Sequence, residues 1–196
     1  MREPDGEPGH PSTGKKTGAA KSRARSKCDE SATCPIAATV SVLGDRWSIL
    51  IMRDLLLGLR RFDELVKSLG IATNILTDRL NKLSDEGLLT RRAYQSNPPR
   101  HEYEPTDAGE SFRQVIFAMG EWGKTWRMEP SGRTPVQYVS DRTGNPVAMR
   151  LIDEATGEET PFGETTGVLT EWANEMAEWR IATADAHAAT DKPKKT

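Results

Sequence analysis

The chain has 196 residues, 27 Lys+Arg against 29 Asp+Glu, and a formal net charge of −2. That is room for one good core and a small appendage, with no overall charge that marks a polyanion partner. Cys28 and Cys34 are too few for a disulfide scaffold, and His10, His101 and His187 are too scattered for a zinc pattern, so neither metal nor cofactor is expected. No apolar run reaches the roughly 18 residues of a membrane helix, and residues 1–33 hold no apolar signal core; no membrane partner is expected and the cytoplasm is the default location.

Residues 1–33 are rich in Gly, Pro, Ser, Lys and Arg and nearly free of large apolar side chains, which predicts a disordered tail. Lys15, Lys16, Lys21, Arg23, Arg25 and Lys27 carry six positive charges with no acid between them. The tail reads either as a solubilising leader or as a basic arm that strengthens nucleic-acid binding. Residues 34–126 hold 12 Lys+Arg and 12 Asp+Glu, whereas residues 127–196 hold 8 against 12. A nucleic-acid binder with a neutral body must gather its cations on one face.

Order is expected from Cys34. Pro35 suits the first turn of a helix through Ile36, Val40 and Leu43 to Gly44. Asp45 can cap a helix from Arg46 to Leu57 whose apolar residues nearly surround it, which places it at the centre of the core. Gly58 ends it. Arg61 to Leu69 is a short helix with Phe62, Leu65, Val66 and Leu69 at i, i+3, i+4, i+7. Gly70 breaks it, and Thr73 is expected to cap a helix that runs to Glu86 and stops at Gly87. Leu88–Ser96 and Arg100–Glu104 read as two strands around Asn97-Pro98-Pro99, where the prolines bar both helix and ladder. Thr106 caps a long helix from Asp107 to about Trp126. Beyond it, Val136-Tyr138 and Val147-Met149-Leu151 alternate between turn signals, which predicts a β-meander. A last helix is expected from Thr165 or Thr166, with Val168, Leu169, Trp172, Met176 and Trp179 on one side and fraying from about Ala188.

A helix pair with a Gly-containing break, followed at once by a basic hairpin, is the pattern of a winged helix-turn-helix. The fold class is therefore α+β: a winged helix-turn-helix core with flanking dimerisation helices over residues 34–126, then a β-meander and helix extension over 127–196. On a helical wheel Ile75, Leu76, Leu80 and Leu83 fall on one side of the helix that starts at Thr73. Asn74, Thr77, Asp78 and Asn81 fall on the other, with Lys82 at the edge. Short polar side chains on the N-terminal half of such a helix are suited to base edges in the major groove. Asp78 could accept from a cytosine amino group or orient Arg79 or Lys82. Arg79 lies beside the apolar stripe and could form either an ion pair or a phosphate contact. Thr73 and the neighbouring amides can meet a phosphate. Arg91, Arg92, Arg100 and His101 flank the ribbon tip, but Arg91 and Arg92 must face opposite sides of a strand. Arg60 and Arg61 open the preceding helix against its dipole, a cost that a phosphate would offset.

Eight segments in order then identify a resemblance. They are Cys34-Pro35-Ile36, Gly44-Asp45-Arg46-Trp47, Leu50-Ile51-Met52-Arg53-Asp54-Leu55, Arg60-Arg61-Phe62-Asp63-Glu64-Leu65, Leu76-Thr77-Asp78-Arg79-Leu80, Glu86-Gly87-Leu88-Leu89-Thr90-Arg91, Pro98-Pro99-Arg100-His101-Glu102-Tyr103 and Thr106-Asp107-Ala108-Gly109. Residues 34–123 resemble the HxlR-type transcription regulators, a winged helix-turn-helix branch close to the MarR group. The resemblance implies a homodimeric, cytosolic regulator of double-stranded operator DNA, more often a repressor, with no enzymatic activity. Pro105 departs from the apolar residue common there and is expected to distort the end of the second strand. Some relatives carry a cysteine-bearing metal appendage; this extension has no cysteine.

Pairing of the helices at 36–44 and 107–126 across a two-fold axis would present two reading helices on one face. The interface candidates are Ile36, Val40, Phe112, Val115, Ile116, Met119 and Trp122, some of which must also serve the core. Cys34 stands where several members of the resembling family carry an oxidant-sensing cysteine, and a helix N-terminus favours a thiolate. Oxidised Cys34 could pair across the dimer or with Cys28. The plain alternative is a small apolar residue capping the core. A small-molecule effector would instead occupy a pocket of the extension, using Trp172, Trp179 and Tyr138. The competing reading is a protein-interaction module whose winged helix reads no operator. No Gly-rich phosphate loop and no catalytic set with supporting context marks an enzyme.

Overall fold

A computed structural model describes residues 33–128 and 134–190; the tail at 1–32, with Cys28, lies outside them. Seven helices, two short antiparallel ladders and one 3₁₀ turn make up these residues. The mixed helical and antiparallel architecture expected of a winged helix-turn-helix is present.

Helix α1 spans Pro35–Leu43 and α2 Arg46–Leu56. Asp45 caps α2 by accepting from the amides of Trp47 and Ser48, both at 3.0 Å. Ile51, Met52, Leu55 and Leu56 are buried, so α2 is the central helix. Its nearly all-round apolarity requires neighbours on most sides, and the helices Phe62–Leu69, Thr73–Asp85 and Arg113–Trp126 and the strand Pro99–Pro105 supply them. Arg113 satisfies the carbonyl of Leu56 at the open C-terminus of α2, at 2.9 Å.

Helix α3 (Phe62–Leu69) ends at Gly70, which takes the left-handed conformation at φ +59° that a side chain would strain. Helix α4 (Thr73–Asp85) follows after a turn through Ile71 and Ala72. Ala72, not Thr73, occupies the cap position; Thr73 is the first helical residue, and its carbonyl accepts from the Thr77 hydroxyl at 2.8 Å. Strands β1 (Leu89–Ser96) and β2 (Pro99–Pro105) form the ribbon. Two expectations change here. Pro99 belongs to the ladder, opposite Ser96, because an edge position needs no amide donor from it. Pro105 also stays in register, opposite Leu89; the irregularity falls between Ala93 and Gln95 instead. An isolated bridge, Arg61 to Glu102, adds the α2–α3 connection to the outer side of β2.

The single long helix expected after Thr106 is broken into α5 (Asp107–Ser111) and α6 (Arg113–Trp126). At the junction the amide of buried Phe112 bonds back three residues to Gly109, at 3.2 Å, a 3₁₀ step. Thr106 caps α5 as expected, accepting from Gly109 N at 3.2 Å while donating to Gly87 O at 2.7 Å.

The extension departs most from expectation. Instead of a meander there are two separate tight turns: one closed by the Val139–Pro146 bridge, and one joining β3 (Leu151–Ile152) to β4 (Glu159–Thr160). Each ends on a left-handed glycine, Gly144 and Gly157. With Val147 and Ile152 exposed, no layer rewards longer pairing. Helix α7 spans Glu175–Thr190 and starts about ten residues later than expected. Asn174 is its true cap, its side-chain oxygen accepting from Ala177 N at 2.8 Å. The preceding Thr165, Thr166, Gly167 and Val168 are poor helix formers. Among the described residues no single helix is long and apolar enough to cross a membrane.

Candidate nucleic-acid interface

Leu76, Leu80 and Leu83 are fully buried and fix the rotation of α4 against the core. That rotation leaves Asn74, Thr77, Asp78 and Asn81 exposed on the opposite face. Ile75 is 37% exposed rather than buried: a wheel gives the direction of a side chain but not how far the neighbouring layer reaches. Ala72 offers no side-chain oxygen to the first-turn amides of α4, so these remain for an outside acceptor such as a phosphate.

Two cations of α4 turn away from this face. Arg79 donates to Asp45 at 3.1 Å and also pairs with Asp78. Lys82 donates to the Ser41 carbonyl in the last turn of α1, at 3.0 Å. Arg79 therefore tethers α4 to the start of α2 and holds the Asp78 carboxylate in place. Burial pushes the Asp45 carboxyl up, but bonds from the Ser48 hydroxyl and amide and from Arg79 outweigh it, and the group sits below its ordinary range.

Strand alternation and register divide the ribbon's charges. On one face Arg92 meets Glu102 at 3.4 Å and Glu104 at 3.5 Å. Arg60 reaches Glu104 at 2.8 Å, and Arg61 reaches Glu102 at 3.1 Å while its guanidinium lies 4.8 Å from the Tyr94 ring centroid. Three of the expected phosphate ligands are thus held by two carboxylates. Glu64 accepts from the amides of Arg60 and Arg61, both at 2.9 Å, and these bonds lower its pKa. The network depends on the strand register, which local sequence does not give; its trace in the sequence is the acidic pair Glu102 and Glu104, opposite Arg92 and Thr90.

On the other side Arg91 Nη2 lies 3.0 Å from His101 Nδ1. Arg100 has no ion pair among the described residues. These residues, with Thr77 and Asn81 of α4 and Asp63 of α3, line an open cleft of about 510 Å³ between helix and ribbon. The cleft is a groove with amide and hydroxyl groups on one wall and guanidinium groups on the other, the chemistry that meets base edges and phosphates respectively. Asp63 and Tyr94 also line the cleft, and no local sequence pattern marks either for it.

The interface candidates also separate. Phe112 and Ile116 are 7% and 8% exposed and belong to the core. Ile36, Val40, Val115, Met119 and Trp122 are exposed, and the first four line a groove of about 540 Å³ between α1 and α6. Cys34 is the half-buried cap residue of α1 and faces a second cavity, of about 470 Å³, formed with residues 167–181. Trp172 lines that cavity; Trp179 does not, and Tyr138 packs on Phe117 with ring centroids 5.3 Å apart. Among the described residues no group of three or more His, Cys, Asp or Glu is placed to hold a metal ion.

Comparison with known proteins gives consistent matches. A family model described as HxlR-like helix-turn-helix matches residues 42–131. An uncharacterised HTH-type transcriptional regulator of Mycobacterium tuberculosis is 36% identical over 124 residues, which span 63% of this chain and 78% of the relative. One from Synechocystis is 39% identical over 99 residues, 50% of this chain and 73% of the relative. Among solved structures, PA1607, a candidate transcription factor, shares 33% identity and a TM-score of 0.63 over 71% of this chain and 97% of its own. A candidate transcription factor from Pseudomonas aeruginosa shares 43% identity and a TM-score of 0.54 over 75% and 99% respectively. Both spans exceed the winged core alone.

Proposed function

The chain belongs to the HxlR-like helix-turn-helix family, whose members are transcriptional regulators rather than enzymes, and on that premise we propose that it reads an operator in double-stranded DNA as a homodimer. The observation that carries this reading is the shared cleft: the polar face of α4 and the unneutralised side of the ribbon meet in one groove. Asn74, Thr77, Asp78 and Asn81 read bases from the major groove. Arg91, Arg100 and His101 hold the backbone beside it, and the first-turn amides of α4 take a phosphate. Arg60, Arg61 and Arg92 serve the ribbon's own ion pairs, and Arg79 and Lys82 hold α4 to the body.

Residues 34–126 are the DNA-binding and dimerisation unit and 127–196 an extension. The second copy packs on the α1–α6 groove, so that two reading helices address half-sites about one helical turn apart or a multiple of it. Binding at an operator represses, and oxidation of Cys34 or a small effector releases it.

Selection of genomic fragments with the purified full chain, then footprinting under reducing and oxidising conditions, tests this. A two-fold symmetric footprint that weakens steeply with salt is expected, because phosphate contacts release counterions. A uniform, sequence-blind footprint overturns operator reading and leaves a protein-interaction module. If Cys34→Ser responds to diamide as the parent does, Cys34 is not the switching thiol; if the parent itself does not respond, the thiol switch is wrong and an effector takes its place.

A further inference from the structure

The extension leaves its large apolar side chains uncovered. Trp172 is 83% exposed, Val168 79% and Phe162 63%. They are not scattered. Val168 and Trp172 border the cavity at the N-terminus of α1, and Pro35 is common to that cavity and to the α1–α6 groove. Further along α6 from Met119, Trp122 and Trp126 share a separate cavity of about 560 Å³ with Met149 and Phe162. One apolar band therefore runs from Trp172 over α1 and α6 to Phe162.

Its size indicates what covers it. Trp122, Trp126, Phe162 and Trp172, at 55–83% exposure, alone present on the order of 500 Å². The largest apolar patch on a typical monomer is roughly 300–600 Å², and the aliphatic residues of α1 and α6 add to this one. A standard stable interface buries about 800 Å² per partner. The six exposed large apolar residues of α1 and α6 are few against the roughly 20–30 residues a side that such an interface uses. We infer that the extension is part of the homodimer interface: its Phe162 and Val168–Trp172 surfaces pack on a second copy, continuously with α1 and α6. This rests on the homodimer reading above and assigns the extension a role in it. It also places Cys34, which borders the same band, beside the subunit contact.

The test is sedimentation equilibrium of the full chain over a wide concentration range, for the parent, Val40→Asp and the double variant Val168→Ser/Trp172→Ser. The double variant removes side chains that are solvent-exposed within one chain, so the fold should hold, as circular dichroism will check. The inference expects a dimeric parent and a dimer dissociation constant at least about tenfold weaker in both variants. The hydrophobic dye 8-anilinonaphthalene-1-sulfonate should bind only as the dimer is diluted apart. If Val40→Asp is monomeric but the double variant dimerises like the parent, the extension is not in the interface while the homodimer stands. If the intact dimer binds the dye stoichiometrically and the double variant does not, the band is an open small-molecule groove and the inference fails. A parent that is monomeric throughout overturns both readings.

Discussion

Asn81 and Arg92 lie on the same winged unit, yet the structure assigns them opposite weights. Asn81 faces the open cleft, whereas Arg92 spans Glu102 and Glu104. Asn81→Ala is therefore expected to cost about 1–3 kcal/mol of operator affinity while leaving non-specific binding unchanged. Arg91→Ala and Arg100→Ala should weaken binding on all sequences and each reduce the salt slope by roughly 1; Arg92→Ala should do neither. Fluorescence anisotropy against salt, on operator and scrambled duplexes, separates the three behaviours. Asp45 supplies a residue-scale test of stability. Its folded pKa lies below the unfolded value of about 4, so its contribution is full above that pH and is lost as pH falls toward the lowered folded value. Asp45→Asn keeps a capping oxygen but cannot titrate. Its urea midpoint should depend less on pH between about 5 and 3 than that of the parent.

At the scale of elements, the connection from ribbon to α5 is the tightest joint. Gly109 is buried, and a Cβ there would stand 2.2 Å from the Leu88 carbonyl oxygen, which is backbone and cannot swing aside. Thr106 spans the same joint by bonds to Gly87 and Gly109. Gly109→Ala should thus destabilise by about 1–3 kcal/mol, read by denaturant unfolding, and loosen the wing against α4. The break at Phe112 belongs to this scale as well. Apolar periodicity continues unchanged through Phe112, Val115 and Ile116, so sequence reads one helix. Only the bonding back to Gly109 reveals the step.

At the scale of the whole molecule, the proposed homodimer would set affinity through valency. One cleft holds few cations that are not already paired, so a monomer should bind weakly at physiological salt. Joining two clefts makes the second contact intramolecular. Val40→Asp, by separating the copies, should reduce operator affinity by roughly 10²-fold or more without altering contacts in either cleft, as gel-shift titration on full and half operators will measure. The same logic explains why a body with equal numbers of acids and bases at residues 34–126 can serve DNA. Glu102 and Glu104 are engaged on the far face of the ribbon and Asp45 on the α2–α4 tether, away from the cleft.

The sequence by itself determined the order and type of the winged elements, the cap at Asp45, the stop at Gly70 and, Ile75 excepted, the division of α4 into a buried and an exposed polar face. These follow from local periodicity and backbone chemistry, which neighbours in the chain decide. It could not determine which arginines are free, because Arg60, Arg61 and Arg92 are claimed by Glu102 and Glu104 through cross-strand register. Nor could it place the start of α7 or dissolve the meander, since the extension has almost no buried layer to enforce a pattern. Which of Phe112, Val115, Ile116 and Met119 face inward was likewise left to the tertiary structure: a stripe marks the apolar side of a helix, but only packed neighbours show how much of that side one chain can cover.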